Sequence, residues 1–207
     1  MYHIGHFILN DYKGITMEFS ADHLRQQNRK RRAELSKSAL EEAALLLLDR
    51  ISALPEFINA NKIAAYSAIN GEISLNPVID LALELGKQVY LPNLDLKSLR
   101  FSPYFHDQKM RINRFKLPEP DVTEAEMLAP EALDLVLAPL VAFDPQRNRI
   151  GMGGGYYDRS FEFRKQAGCH VPILIGVAHE LQKVDELVPE EWDVRLDMVM
   201  TDVATYK

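Results

Sequence analysis

The sequence predicts an α/β fold: a single three-layer α/β/α domain on a Rossmann-like, largely parallel sheet. Three observations predict it. Strand-like apolar runs alternate with helix-like stretches along the chain. Residues 133–143 are almost continuously apolar, the pattern of a strand buried on both faces. Four of the ten glycines then fall between 151 and 155, ahead of an aromatic-rich segment at 156–163. That places a glycine-rich turn at the carboxyl end of a central strand, where open α/β sheets bind ligands.

The composition narrows the class. The 207 residues suit one domain, and a balance of 47% hydrophobic and 26% charged residues is that of an ordinary globular chain. A net charge of −6 argues against general nucleic-acid affinity. The single cysteine, Cys169, excludes an internal disulfide framework and reads as a small buried side chain. No apolar run approaches the ~18 residues of a membrane span, and the expected setting is the cytoplasm.

Taken in order, residues 20–35 read as a basic helix capped by Ser20 or Asp22. Arg25, Arg29 and Arg32 fall on one side of it, within an arc of about 60°. Such a stripe suits several phosphates, because each guanidinium presents a fixed fork of donors; a solvated basic face is the other reading. Ser38-Ala39-Leu40-Glu41 has the form of a capping box, opening a second helix over 39–54 ahead of Pro55. Residues 62–69 read as a strand, followed by an Asn70-Gly71 turn and Glu72. A short helix spans 77–85, with Pro77 early and Gly86 after its end. Strands follow at 88–91, stopped by Pro92, and at 98–104. Lys109, Arg111, Arg114 and Lys116 make 106–117 basic, either a solvated loop or a surface for an acidic ligand. Leu117-Pro118-Glu119-Pro120 reads as an extended connector. After the central strand and glycine turn, a helix is expected over 156–167, ended by Gly168, with buried strands at 173–178 and 198–203. His179, just after a strand, reads as a satisfied structural histidine or a group approaching the site. No Cys/His spacing suggests zinc.

The stretch Arg149-Ile150-Gly151-Met152-Gly153-Gly154-Gly155-Tyr156-Tyr157-Asp158 carries the chemistry. Glycines there allow positive φ and close backbone approach, so N–H groups can converge on an anion. It is neither a Walker A loop, lacking Gly-Lys-Ser/Thr, nor the dinucleotide fingerprint, since Tyr156 stands where the last glycine would be. Spacing alone leaves a tight structural turn and a phosphate cradle both open, and the flanking Arg149, Asp158 and Arg159 favour the cradle. Together with Asn70-Gly71-Glu72-Ile73, Val89-Tyr90-Leu91-Pro92, Leu117-Pro118-Glu119-Pro120, Pro139-Leu140-Val141-Ala142-Phe143-Asp144 and Trp192-Asp193-Val194-Arg195-Leu196-Asp197, this stretch closely resembles the 5-formyltetrahydrofolate cyclo-ligase (5,10-methenyltetrahydrofolate synthetase) family. The resemblance runs from about 24 to 203. It does not include residues 1–16, which lack the basic start of a signal peptide and are expected to be a dispensable extension, with 17–207 as the working domain.

The resemblance implies a fold akin to sugar-phosphate isomerases and CoA transferases. It implies ATP-dependent cyclisation of 5-formyltetrahydrofolate to 5,10-methenyltetrahydrofolate, with ADP and phosphate released through a phosphorylated formyl group. ATP would be met by Arg25 and the loop Arg149, Ile150, Gly151, Met152, Gly153, Gly154, Gly155, Tyr156 and Tyr157. The reduced folate, which can carry a polyglutamate tail, would be met by Ser67, Glu72 and residues Met152 to Tyr156. A carboxylate such as Glu72 accepts two adjacent N–H donors of a pterin, although a glutamate beside a glycine turn is otherwise a common solvated residue. Arg149, Tyr156 and Asp158 are the implied catalytic groups, and Asp158 and Asp197 the implied ligands of a nucleotide-bound Mg2+. The lysine that the family often carries four residues before Arg25 is here Ala21, and Arg29 is the expected substitute. A monomer is expected. Two rivals remain: an RNA-associated, nucleotide-binding paralogue that keeps the fold without ligase activity, and a phosphosugar isomerase of related architecture that needs no ATP.

Overall fold

The computed structural model describes residues 7–10, 16–18, 20–114 and 117–207. Its main sheet has seven strands in the order β14-β13-β11-β8-β3-β4-β5. These are β3 (Lys62–Ala64), β4 (Gln88–Asp95), β5 (Ser98–Tyr104), β8 (Leu135–Pro139), β11 (Ile173–Val177), β13 (Met198–Met200) and β14 (Thr205–Tyr206). The five inner strands run parallel, while β5 and β14 close the edges antiparallel. The expected α/β class with a largely parallel sheet is therefore observed, with antiparallel rims.

Alternation along the strands divides the core between two faces. Leu135, Leu137, Ile175, Val177, Met198 and Met200 point to one side, and Val136, Ala138, Leu174 and Val199 to the other. The first face is covered by α2 (Lys37–Ser52), α3 (Pro55–Asn59) and α4 (Asn76–Glu84) through Leu47, Ile51, Phe57, Val78 and Ile79. The second packs under Phe161, Val194 and Leu196. Helix α1 (Ala21–Ala33) lies at the carboxyl end of the sheet, its Leu24 packed with Ala142 and Leu187. Strand β1 (Phe7–Asn10) pairs with β2 (Thr16–Glu18) and with β12 (Glu186–Leu187). Part of the expected extension is therefore strand; 1–6 and 11–15 lie outside the described residues.

Several expectations need correction. Ser36, not Ser38, caps α2, its hydroxyl accepting the Ala39 N–H at 3.2 Å; Ser38 instead shares a hydrogen bond with Ser36. Pro92 does not stop β4. Tyr90 and Leu94 turn their backbone groups away from β5, toward Ala65 and Glu119. Pro92 shares that side, where β3 has already ended, so its missing N–H breaks no ladder bond. The first strand is shorter than expected, ending at Ala64. Leu117-Pro118-Glu119-Pro120 supplies a strand, β7 (Pro118–Pro120), paired with β6 (Met110–Ile112). Cys169 is half-buried at a turn rather than buried in the core.

The apolar run at 133–143 is two strands, not one. After β8 the chain bends at Leu140-Val141, whose carbonyls accept from the buried amides of Gln182 and Asn28 at 2.8–3.0 Å. These side chains satisfy the backbone groups that leaving the sheet would orphan. Strand β9 (Ala142–Phe143) then pairs with β10 (Arg149–Ile150), and buried Asp144 holds their turn by accepting from Asn148 and from the Leu187 N–H. The expected helix over 156–167 is likewise divided into α5 (Tyr156–Ser160) and a 3-10 turn at Glu162–Lys165. Phe161 breaks the helix as it enters the core, stacked on Tyr157 and tilted against Phe101 and Phe163.

Candidate active site

Strand order reverses between β3 and β8: the chain leaves β3 toward β4 and β5, then returns to build β8, β11 and β13 on the other side. Ligands of open α/β sheets bind at the carboxyl ends of strands at such a point. A cavity of about 510 Å³ opens there, lined by Tyr66, Ser67, Ile69 and Glu72 after β3 and by Pro139 at the end of β8. A second, more polar cleft of about 320 Å³ is lined by Ala21, Arg25, Asn148, Asp158, Arg159 and Asp193, with Leu187 to Pro189 and half-exposed Trp192 along one wall. Both cavities share Arg149, Gly151, Gly154, Gly155 and Asp158. The glycine-rich loop is therefore the partition between them.

Three arginines hold that partition. Arg25 Nε donates to the Gly151 carbonyl at 2.9 Å and packs on Gly153, which has φ +95°. Arg159 donates to the carbonyls of Gly154 and Lys97, fixing the loop to the β4–β5 turn, and its guanidinium lies 5.2 Å from the centre of the Tyr156 ring. Arg149, nearly buried, donates to the Val194 carbonyl and pairs with Asp158. Gly155, at φ +63°, precedes α5, whose five residues are too few to add much helix dipole to the loop.

The predicted residues separate between the cavities. Arg25, Asp158 and the loop reach the polar cleft, whereas Ser67, Glu72, Met152, Tyr156 and Tyr157 face the larger cavity. Arg29 also faces the larger cavity, with Nη2 3.6 Å from Met152 Sδ, and so does not occupy the space beside Ala21. Arg159 is the additional cation of the polar cleft. Arg32 does not continue a surface stripe: its side chain is 0% exposed and lies 3.6 Å from the Glu72 carboxylate. Glu72 Oε2 accepts the Ile69 N–H at 3.0 Å, and burial raises its carboxyl above the usual range, an effect the Ile69 N–H and Arg32 oppose. Burial likewise raises the Tyr66 and Tyr157 hydroxyls, so both are neutral donors.

Asp197 lines neither cavity. Both its carboxylate oxygens accept from Arg164 Nη2, and Oδ2 also accepts the Leu174 N–H. Asp193, its neighbour in the same motif, lines the cleft with Asp158. Burial raises the Asp193 carboxyl, and the Asp158 charge adds to the rise although the Glu190 N–H opposes it. Carboxylates gathered on one polar cleft offer oxygen ligands to a cation. Oxygen donors of this kind suit Mg2+, which takes one or two carboxylates and completes its shell with phosphates and water. Among the described residues no cluster of three or more His, Cys, Asp or Glu forms a self-sufficient metal site. The sequence signal for Asp193 was its place beside Trp192 in the shared motif; spacing does not tell which aspartate of the pair faces the cleft.

The basic loop is largely committed. Lys109 pairs with Asp121 and Arg111 lies 3.8 Å from buried Glu119. Arg114 donates to the Leu96 carbonyl and to the Tyr156 hydroxyl; Lys116 lies outside the described residues. His179 is buried, with Nε2 3.0 Å from the Gly71 carbonyl, and is structural.

The model of the 5-formyltetrahydrofolate cyclo-ligase family matches residues 18–202. The chain belongs to that family of ligases. A 5-formyltetrahydrofolate cyclo-ligase of Escherichia coli (strain K12) is 34% identical over 176 residues, covering 84% of this chain and 95% of that protein. One from Haemophilus influenzae is 36% identical over 176 residues, with 84% and 92% covered. The solved structure of Aquifex aeolicus 5,10-methenyltetrahydrofolate synthetase superposes with a TM-score of 0.77 at 27% identity, covering 90% of this chain and 92% of that one. Among the described residues no helix is long and apolar enough to cross a membrane. Within the cyclo-ligase family, then, this chain carries its glycine-rich motif as a wall with a cavity on each side.

Proposed function

We propose that the protein cyclises 5-formyltetrahydrofolate to 5,10-methenyltetrahydrofolate at the expense of ATP, through a phosphorylated formyl oxygen. The observation that carries this reading is the shared partition: a polar cleft lined by arginines and carboxylates and a larger, more apolar cavity meet at one glycine-rich loop. Such a wall suits a reaction in which a phosphoryl group passes from one ligand to the other. In this reading the sheet and its two helical faces form a three-layer, Rossmann-like domain. One chain supplies both cavities, which favours a monomer as the working unit.

The chemistry asks little covalent work of the protein. The formyl oxygen attacks the γ-phosphorus and ADP leaves; N10 then attacks the formyl carbon and gives up its proton, and phosphate departs with the formyl oxygen and the electrons of the C–O bond, taking up that proton as hydrogen phosphate. An amide oxygen is a poor leaving group, and phosphorylation makes it a good one. Positioning and charge stabilisation dominate such a transfer. Arg25, Arg149 and Arg159 would meet the phosphates, while Glu72, Ser67 and Tyr156 would orient the pterin and its formyl group. Asp158 and Asp193 would hold Mg2+, which offsets phosphate charge when bound.

The direct test is absorbance of the methenyl product from purified protein with 5-formyltetrahydrofolate and magnesium, with and without ATP. Product growth only with ATP is expected. ATP binding without turnover would favour the non-ligase paralogue, and ATP-independent isomerisation of a sugar phosphate would favour the other enzyme class. Glu72→Gln should weaken folate binding roughly tenfold or more by calorimetry while ATP binding persists, since an amide offers one acceptor where the carboxylate offers two.

A further inference from the structure

The Arg32 guanidinium has no role in the scheme above, yet its setting is expensive. Nε, Nη1 and Nη2 are buried and make no hydrogen bond. The guanidinium forms an ion pair with Glu72, Nη1 to Oε1 at 3.6 Å, and the two side chains are 0% and 8% exposed. A buried charge that makes no hydrogen bond costs stability, and an apolar side chain of similar size would commonly serve the fold better. The backbone brings the pair together on purpose-built geometry. The α1 terminus lies against the Asn70-Gly71 turn so closely that a Cβ on Gly71 would stand 2.7 Å from the Arg32 carbonyl oxygen. On the other side, His179 holds the same turn through the Gly71 carbonyl.

We propose that Arg32 is a positioning residue for folate recognition: from beneath the cavity wall it is the fixed counter-charge that keeps Glu72 an anion with two acceptor oxygens. This rests on the reading of Glu72 as the pterin-binding carboxylate. A protonated Glu72 would offer its O–H where the pterin also offers N–H donors, and one of the two bonds would be lost. The other groups around Glu72 cannot substitute. Arg29, from α1, faces the cavity beyond ion-pair distance of Glu72. Tyr66, after β3, and Tyr157, on α5, are neutral phenols whose hydroxyls burial raises. His179, after β11, is held neutral by burial and bonds the Gly71 carbonyl. Arg149 is committed to Asp158 and Val194.

The test measures folate KM, ATP KM and kcat of the full chain from about pH 6 to pH 9, for wild type, Arg32→Met, Arg32→Lys, Glu72→Gln and the double variant. Arg32→Met should raise folate KM about tenfold near neutral pH. The loss should shrink as pH rises and Glu72 ionises, while ATP KM and kcat at saturating folate stay within about twofold. Arg32→Lys keeps a cation and should restore most of the affinity; if Arg32→Met does not fold, Arg32→Lys still reads the same shift at smaller size. In the Glu72→Gln background, Arg32→Met should add no further loss and no pH dependence. A folded Arg32→Met whose folate KM follows the wild-type pH profile overturns the inference, as does an equal rise in ATP KM or an undiminished loss in the Glu72→Gln background. If Glu72→Gln itself binds folate as wild type, the assignment of Glu72 is what has failed.

Discussion

Asp158 illustrates how one side chain serves two spaces. It lies on both cavities, its Oδ1 accepting from Arg149 and from the Val194 N–H at 3.2 Å. Asp193 faces it across the polar cleft, and Asp197 turns to Arg164. Three conservative variants separate these positions. Asp158→Asn and Asp193→Asn should each lower kcat by roughly tenfold or more with little change in folate KM, and added magnesium should recover part of the loss. Their combined effect should be less than additive, as is expected of two ligands of one proposed ion. Asp197→Asn should act on stability instead, weakening the charge-assisted bonds to Arg164 by about 1.5–3 kcal/mol. Magnesium titrations of kcat beside thermal melts check both halves; magnesium-dependent kcat in Asp197→Asn and none in Asp193→Asn would reverse the assignment.

The elements around the glycine-rich loop are short, and side chains from elsewhere set its path. Helix α1 reaches it through Arg25 and holds the preceding bend through Asn28. The β4–β5 turn reaches it through Arg159. Gly155 is where these constraints meet. A Cβ there would lie 2.6 Å from Arg159 Nη1, at a backbone with φ +63°. Gly155→Ala should therefore cost about 1–2 kcal/mol in backbone strain and displace Arg159 from the Gly154 and Lys97 carbonyls. Turnover is expected to fall further than the melting temperature suggests, with both ATP and folate KM rising, because the loop borders both cavities. Gly151, with open space around its Cβ position, is the control: Gly151→Ala should leave the melting temperature nearly unchanged.

At the scale of the whole molecule, His179 couples the sheet to the site. It follows β11, is buried, and joins the Gly71 turn beside α1. Burial holds its imidazole below the ordinary value of 6.5, although the Gly71 carbonyl and Asp202 oppose the shift. The native protein therefore binds fewer protons here than the unfolded chain. The contribution to stability is present above about 6.5 and is lost as pH falls through the depressed native value. Glu72 runs the other way, since its raised carboxyl favours the native state as pH falls. A difference measurement isolates the histidine: urea melts of wild type and His179→Gln between about pH 5 and pH 8 should show the wild type losing its advantage on acidification. A constant difference across that range would remove the histidine as the titrating group.

The sequence by itself determined the fold class, the family and the loop that separates the cavities. Periodicity suffices for strands buried on both faces, and glycines with flanking charges mark a backbone built for close approach, because both signals are local. It also marked Glu72 and Arg25, which sit in short motifs. Only the tertiary structure decided what depends on which way a side chain points. It bent the apolar run after Pro139, since the carbonyl partners Asn28 and Gln182 are remote in sequence. It turned Asp193 toward Asp158 and committed Asp197 to Arg164, a choice that the motif containing both cannot express. It also resolved a helical stripe of three arginines into three settings: Arg25 at the polar cleft, Arg29 at the larger cavity and Arg32 buried against Glu72. Helical spacing places these residues on a common side of α1; what each one meets is decided by chain segments folded against the helix from far along the sequence.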